Sequence, residues 1–211
     1  MYNWPPKPFI LAHRGARSLA PENTLAAFTK AFELGADGFE CDVFLSKDGV
    51  PVILHDKTLD RTTNGRGYVW NYDAQTLRTF GVPTLEDALK IMPEKSVINI
   101  ELKGCQPYSP EYLAASVSKL IEPYKNKISV IISSFDSQLL EAWKDMPIGL
   151  LFESRQDIKI PENWQPHSLN IKHRRLKHAP TGFKIILWTA KNLKTAKAWL
   201  TSGVAGVIAE F

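Results

Sequence analysis

The sequence predicts an alternating α/β fold closed as a TIM (β/α)8 barrel, and three observations carry that reading. Eight short apolar runs recur from one end of the chain to the other, amphipathic stretches with a period near 3.6 separate many of them, and the whole fits in 211 residues, the short end of the range for such a barrel. A doubly wound open sheet is the alternative, although no G-x-G-x-x-G follows the first run. The composition is 44% hydrophobic, 23% charged and 10% aromatic, with 12 Gly and 14 Pro. Those proportions exclude disordered, collagen-like and coiled-coil classes.

The first strand is the run FILA at 9–12. A helix follows on Leu25, Phe28 and Phe32, announced by Pro21-Glu22-Asn23-Thr24. The second strand, GFECDVFL at 38–45, leads through Asp48-Gly49 into VPVILHD, a hairpin signal. If Asp48 and Gly49 alone form the loop, facing positions sum to 97 and Asp42 lies opposite His55. The polar stretch from His55 to Pro83 is too long for a plain strand-to-helix connection and reads as a lid or substrate-facing insertion at about 56–83. Pro83-Thr84-Leu85-Glu86 opens a helix on Leu85, Ala88 and Leu89, ahead of the third strand at 97–102. A helix on Leu113, Val117, Leu120 and Ile121 precedes the fourth strand at 128–135, and another, on Leu139, Leu140 and Trp143, starts after Ser137. Strands at 148–152, 168–171, 184–189 and 206–209 complete the eight. The helices after the fifth and sixth must be short, a helix on Leu193, Ala196 and Leu200 precedes the eighth, and none follows it. No linker or low-complexity tract interrupts the chain, which predicts one domain over 1–211.

The 26 Lys and Arg against 22 Asp and Glu leave a net charge of +4, mild and scattered, which argues against a nucleic-acid partner. The densest basic run, KHRRLKH at 172–178, reads as a solvated helix face, with an anion or membrane-surface patch as its alternative. No segment reaches the 18 or so apolar residues of a membrane span, and MYNWPPKPF lacks the apolar stretch of a secretory signal, so a soluble, cytoplasmic chain without stable membrane insertion is expected. Cys41 and Cys105 lie in apolar, strand-like runs and read as free buried thiols, consistent with a reducing compartment.

Polar residues gather at the ends of the apolar strands. The first strand ends in His13-Arg14-Gly15, the second carries Glu40 and Asp42, and the third carries Glu101 and Lys103. Two residues apart on a strand share a face, so each pair projects together. Buried carboxylates are costly unless paired or bound to metal. Glu40, Asp42 and Glu101 would form an all-oxygen cluster suited to Mg2+ or Ca2+, and the competing reading is that they only pair with Arg14 and Lys103. The hairpin folds His55 back toward the same place. A set of two histidines, two basic side chains and three carboxylates suits a phosphate held beside a divalent cation, with the imidazoles sharing acid and base work near pH 7. His167, His173 and His178 lack such company and read as structural or exposed.

The motifs HRGA (13–16), PENT (21–24), E-x-D (40–42), KDGVPVILHD (47–56), TLDRTTNGRG (58–67), PTLEDAL (83–89) and IELK (100–103) resemble those of glycerophosphodiester phosphodiesterases, in the family's order across the first half of the chain. The resemblance implies a TIM barrel that hydrolyses small-molecule glycerophosphodiesters to sn-glycerol 3-phosphate and an alcohol. It makes His13 and His55 the general acid/base pair, Glu40, Asp42 and Glu101 the ligands of one divalent ion, Mg2+ or Ca2+, and Arg14 and Lys103 the phosphate holders. The PENT segment supports the family's site, but Asn23 and Thr24 read here as ordinary helix-start residues. The second half matches less tightly: Ser133-Ser134-Phe135 fits, Trp188-Thr189 is followed by an asparagine one position late, at Asn192, and Glu210 stands where the family closes with an aspartate. Trp188 is the candidate wall of the substrate pocket, with packing at the barrel rim as its other reading. Two rivals remain, a phospholipase D-like enzyme on lysophospholipids or sphingolipids, which needs an exposed apolar rim such as Tyr68, Val69, Trp70 and Tyr72, and a non-catalytic phosphodiester-binding module.

Overall fold

A computed structural model describes residues 3–143, 146–153, 160 and 165–211. The barrel strands are β1 (Phe9–His13), β2 (Gly38–Leu45), β4 (Val97–Leu102), β5 (Ser129–Ser134), β6 (Ile148–Phe152), β7 (Ser168–Lys172), β8 (Lys184–Ala190) and β9 (Gly206–Ala209); β3 (Pro51–Ile53) is the return strand of the hairpin. The barrel strands pair in parallel in the order β1-β9-β8-β7-β6-β5-β4-β2, and β1 pairs with both β9 and β2, which closes the barrel. All eight apolar runs read from the sequence are strands of it.

Strand parity divides the core in two. Ile10 and Ala12 of β1, Phe39, Cys41 and Val43 of β2, and Ile98, Ile100 and Leu102 of β4 face outward into the layer under the helices. Phe9 and Leu11, with Val97, Ile131, Ile186 and Ile208, fill the barrel interior. The floor is tight: a Cβ at Gly206 would stand 2.3 Å from the Phe9 ring, so only glycine lets β9 pass there. By the same parity His13, Glu40, Asp42 and Glu101 leave the outward layer and enter the barrel at its C-terminal end.

The helices are α1 (Leu25–Glu33), α2 (Ala74–Thr79), α3 (Leu85–Lys90), α4 (Pro110–Ile121) and α5 (Leu193–Leu200). Thr24 caps α1 through its hydroxyl, and Thr84 and Asp87 form a reciprocal capping box at α3. The segment after β5 is a single 3-10 turn, Ser137–Leu140, capped by Asp136 rather than begun at Ser137. The basic run is also a 3-10 helix, His173–His178, with most of its side chains exposed. The connection after β6 lies largely outside the described residues.

The hairpin differs from the expected register. Leu45 faces Pro51, Phe44 faces Val52 and Val43 faces Ile53, so facing positions sum to one less than expected and Leu54, not His55, bonds back to Asp42. The loop holds three residues, Lys47-Asp48-Gly49, because Gly49 takes a φ of 77° and adds a bulge where a two-residue turn was expected. Beyond it, the insertion folds onto its own core of Phe44, Val52, Leu54, Leu59, Val69, Leu77 and Val82.

Candidate active site

Three ladder pairs assemble the site. His13 is level with Glu40 across β1–β2, Glu40 with Asn99 and Asp42 with Glu101 across β2–β4. The carboxylates of Glu40, Asp42 and Glu101 are all buried, and their ligand oxygens lie within 4.8 Å of one another. Glu40 and Glu101 line a cavity of about 330 Å3 together with His13, Arg14, His55, Asn99, Lys103, Phe135 and Trp188. The residues expected to act in catalysis, phosphate binding and metal binding, with Trp188, are therefore gathered there except Asp42, which adjoins the cavity within the carboxylate cluster.

Arg14 adopts the left-handed region, φ 57°, which costs a non-glycine residue roughly 1–2 kcal/mol. That turn sends its backbone N–H to both the carbonyl and the Oε2 of Glu40, each at 3.1 Å, and its guanidinium to Asp42 Oδ2 at 3.3 Å and Glu22 Oε1 at 3.2 Å. Lys103 Nζ reaches Glu101 Oε1 at 2.6 Å and Asp42 Oδ1 at 3.3 Å. Burial alone would lower the Lys103 ammonium, but Asp42 and Glu101 outweigh it and hold the pKa above its ordinary value.

These ion pairs do not neutralise the cluster. Three carboxylates meet two cations, one of which is shared with Glu22, and Glu40 Oε1 is buried with no hydrogen-bond partner among the described residues. Burial, then the charges of Asp42 and Glu101, raises the Glu40 carboxyl well above the usual range; burial and Asp42 push Glu101 up to about 7. Surplus negative charge on converging oxygens, with a buried oxygen left unpartnered, is the environment a hard divalent cation relieves, so the residues fit such an ion.

Both histidines are oriented through Nδ1. His13 Nδ1 donates to Glu210 Oε1 at 2.9 Å and His55 Nδ1 to Asp56 Oδ1 at 2.6 Å. Burial would raise the Glu210 carboxyl, but bonds from His13 and Arg17 outweigh it and hold it low; Arg61 first, then His55, brings Asp56 down to about 2. Ionised carboxylates only accept, so the proton sits on Nδ1 and Nε2 is the nitrogen available to a bound molecule. Burial lowers His55 below the ordinary histidine value.

Asn23 corrects the reading of PENT. Its Nδ2 donates to Asp42 Oδ2 at 2.8 Å from a fully buried position at φ 58°, so it supports the cluster while Thr24 alone caps the helix. Asn192, the displaced asparagine, caps α5 instead. Asn99 belongs to none of the motifs; its place two residues before Glu101, on the same strand face, is the sequence signal for it. Trp188 lies edge-to-face with Phe135, centroids 5.7 Å apart, and Lys172 Nζ stands 5.0 Å over its ring. Of the residues proposed for an apolar rim, Val69 is buried, and Trp70 stacks on Tyr68 and leans on Phe44. Val69, Trp70 and Tyr72 thus serve the insertion's own core, while Tyr68 stays 42% exposed.

The model of the Glycerophosphoryl diester phosphodiesterase family matches residues 13–211. The chain belongs to this family. As a member it is a glycerophosphodiester phosphodiesterase, a phosphoric diester hydrolase. It is 33% identical over 234 residues to a glycerophosphodiester phosphodiesterase of Caldanaerobacter subterraneus subsp. tengcongensis, covering 97% of this chain and 94% of the relative. The barrel is similar to the crystal structure of the glycerophosphodiester phosphodiesterase of Thermotoga maritima, with a TM-score of 0.80 and 29% identity over 96% of this chain and 94% of that one. It is also similar to an Oleispira antarctica phosphodiesterase in complex with the product sn-glycerol-3-phosphate, with a TM-score of 0.78 and 26% identity over 96% of this chain and 93% of that one. Among the described residues, no helix is long and apolar enough to cross a membrane.

Proposed function

We propose that the enzyme hydrolyses small-molecule glycerophosphodiesters to sn-glycerol 3-phosphate and an alcohol, using one divalent cation, Mg2+ or Ca2+, and His13 and His55 as an acid/base pair. The observation that carries this is the convergence on one cavity of two Nδ1-anchored imidazoles and a surplus-negative carboxylate cluster. Glu40, Asp42 and Glu101 would hold the cation, which when bound supplies Lewis-acid polarisation of the phosphoryl oxygen. Arg14 and Lys103 supply positive charge beside the phosphate and orient it. One imidazole takes a proton at Nε2 from the attacking hydroxyl, either water or the substrate's own glycerol 2-hydroxyl. The phosphorus–oxygen bond to the alcohol breaks, and the other histidine, which enters the step as the imidazolium, gives its Nε2 proton to the departing oxygen. Attack by water gives sn-glycerol 3-phosphate directly; attack by the 2-hydroxyl gives a cyclic phosphate that the same pair opens with water, roles reversed. Trp188 and Phe135 offer an apolar wall for the uncharged part of the substrate.

The test is coupled release of sn-glycerol 3-phosphate from glycerophosphocholine and glycerophosphoethanolamine with Mg2+, with Ca2+ and with EDTA, beside Glu40→Ala. Release that EDTA and the variant both abolish supports the proposal. Folded protein that releases none with either metal overturns it.

A further inference from the structure

Each histidine is held by a carboxylate whose second oxygen is held by an arginine, and the two arginines meet on one side chain. On one arm His13 Nδ1 donates to Glu210 Oε1 and Arg17 Nε to Glu210 Oε2. On the other, His55 Nδ1 donates to Asp56 Oδ1, and Arg61 Nε donates to Asp56 Oδ2 at 2.6 Å. Arg61 then donates through Nη2 to Glu22 Oε1 at 2.6 Å, while Arg17 Nη1 lies 3.6 Å from Glu22 Oε2. Both guanidiniums thus work alike, Nε on the carboxylate beside the histidine and a terminal nitrogen on Glu22.

Resting on the two-histidine reading above, we propose that Glu22 is a positioning residue shared by both histidines, the joint at which the His13–Glu210–Arg17 arm and the His55–Asp56–Arg61 arm are tied. The arginines cannot fix the arms alone, because their side chains are 36% and 48% exposed and long. Glu22 is only 12% exposed, and its backbone is anchored: the next residue, Asn23, donates its N–H to the Arg14 carbonyl at 3.0 Å and its side chain to Asp42. The arms also come from distant chain positions, after β1, after β3 and after β9, so their relative placement needs a shared anchor. Fixing each carboxylate fixes the tautomer and tilt of its imidazole, and a wrong tautomer is among the costliest errors in acid/base catalysis.

The test reads the two rings directly. In 15N-labelled protein above the imidazole titration, long-range 1H–15N correlation gives the fraction of each neutral ring protonated at Nδ1, with assignments from His13→Asn and His55→Asn. In the wild type Nδ1–H predominates in both rings. Glu22→Ala lowers that fraction in both, Arg17→Gln in His13 alone and Arg61→Gln in His55 alone, and kcat in Glu22→Ala falls about tenfold or more while KM moves less. A Glu22→Ala protein with either ring at its wild-type ratio overturns the proposal, as does a wild type lacking the Nδ1–H excess. Should Glu22→Ala fail to fold, the two surface arginine variants decide it, and the absence of arm-specific ring changes overturns it. Because the ring readout needs no turnover, a protein that shows this pattern yet hydrolyses no glycerophosphodiester sinks the function above and leaves the positioning role standing.

Discussion

Asp42 and Glu101 face each other directly across the β2–β4 ladder, and Lys103 Nζ lies 3.3 Å from one and 2.6 Å from the other. These two buried carboxylates at one level of the ladder, with Glu40 one layer away, repel one another, and Lys103 together with an Arg14 that Glu22 shares does not balance the three. The charge left over makes the first prediction. Mg2+ or Ca2+ raises the unfolding temperature of the wild type, because an ion that binds only the folded state stabilises it by about 2.7 kcal/mol at a hundredfold excess over Kd. Differential scanning fluorimetry with and without EDTA shows the rise, and Glu40→Ala loses it together with activity. A wild type whose melting is indifferent to both ions removes the metal from the account.

His13→Ala and His55→Ala each lower kcat by about 10²- to 10⁴-fold, the usual contribution of a general acid or base. Both variants keep the ion-dependent rise in melting temperature, since neither side chain belongs to the carboxylate cluster. Turnover unchanged in both purified variants rejects the acid/base assignment.

The pH–rate profile assigns the roles. Burial lowers His55, while Asp42 and the bond to Asp56 partly offset that by favouring the imidazolium. Asp56→Asn removes one of the raising influences, so the His55 pKa falls further and the limb of kcat/KM that reports His55 moves to lower pH. If His55 is the base, the acid-side limb moves; if it is the acid, the alkaline-side limb does. A profile displaced in neither limb separates His55 from the chemistry.

Asn23→Ala deletes a donor to Asp42 Oδ2 from a buried position. The variant loses about 1–3 kcal/mol of stability from the unsatisfied carboxylate oxygen. It also binds the ion more weakly, by about ten- to a hundredfold, as the loss of groups that orient metal ligands commonly does. Titration calorimetry of the ion and denaturant unfolding measure the two effects separately. Ion affinity equal to the wild type returns Asn23 to the plain helix-start role that its sequence context suggests.

How much of this is legible in the sequence depends on the distance over which each feature is decided. Strands are decided locally, by the alternation that sends Phe9 and Leu11 inward and Ile10 and Ala12 outward, and the same parity exposes Glu40, Asp42 and Glu101 as one inward set. The partnership of His13 with Glu210 spans nearly the whole chain and exists because Ala12 pairs with Ala209 when the barrel closes, so the sequence offers only an acidic residue after the last strand. Asn23 reads from the sequence as a start residue because Pro-Glu-Asn-Thr is a sound helix opening whatever lies above it. The hairpin misled for a different reason: Asp-Gly serves both two-residue turns and three-residue loops with a bulge, and nothing local separates them.

That hairpin supports the last prediction. Gly49 holds a φ of 77°, and a Cβ there would lie 2.3 Å from the Tyr112 hydroxyl, so alanine meets both backbone strain and a side chain that must move. The strain alone is worth about 1–2 kcal/mol, and denaturant unfolding of Gly49→Ala shows a loss of at least that size. The loop also sets the register that carries β3 past Asp42, through the bond from Leu54 to the Asp42 carbonyl, and delivers His55 one residue later. Strain relieved by a register shift would misplace His55, so kcat falls in Gly49→Ala although the residue touches nothing in the cavity. Strain absorbed within the loop leaves kcat intact and lowers stability alone. Comparing the variant's kcat with its unfolding free energy decides between them, and an intact kcat detaches the hairpin register from the placement of His55.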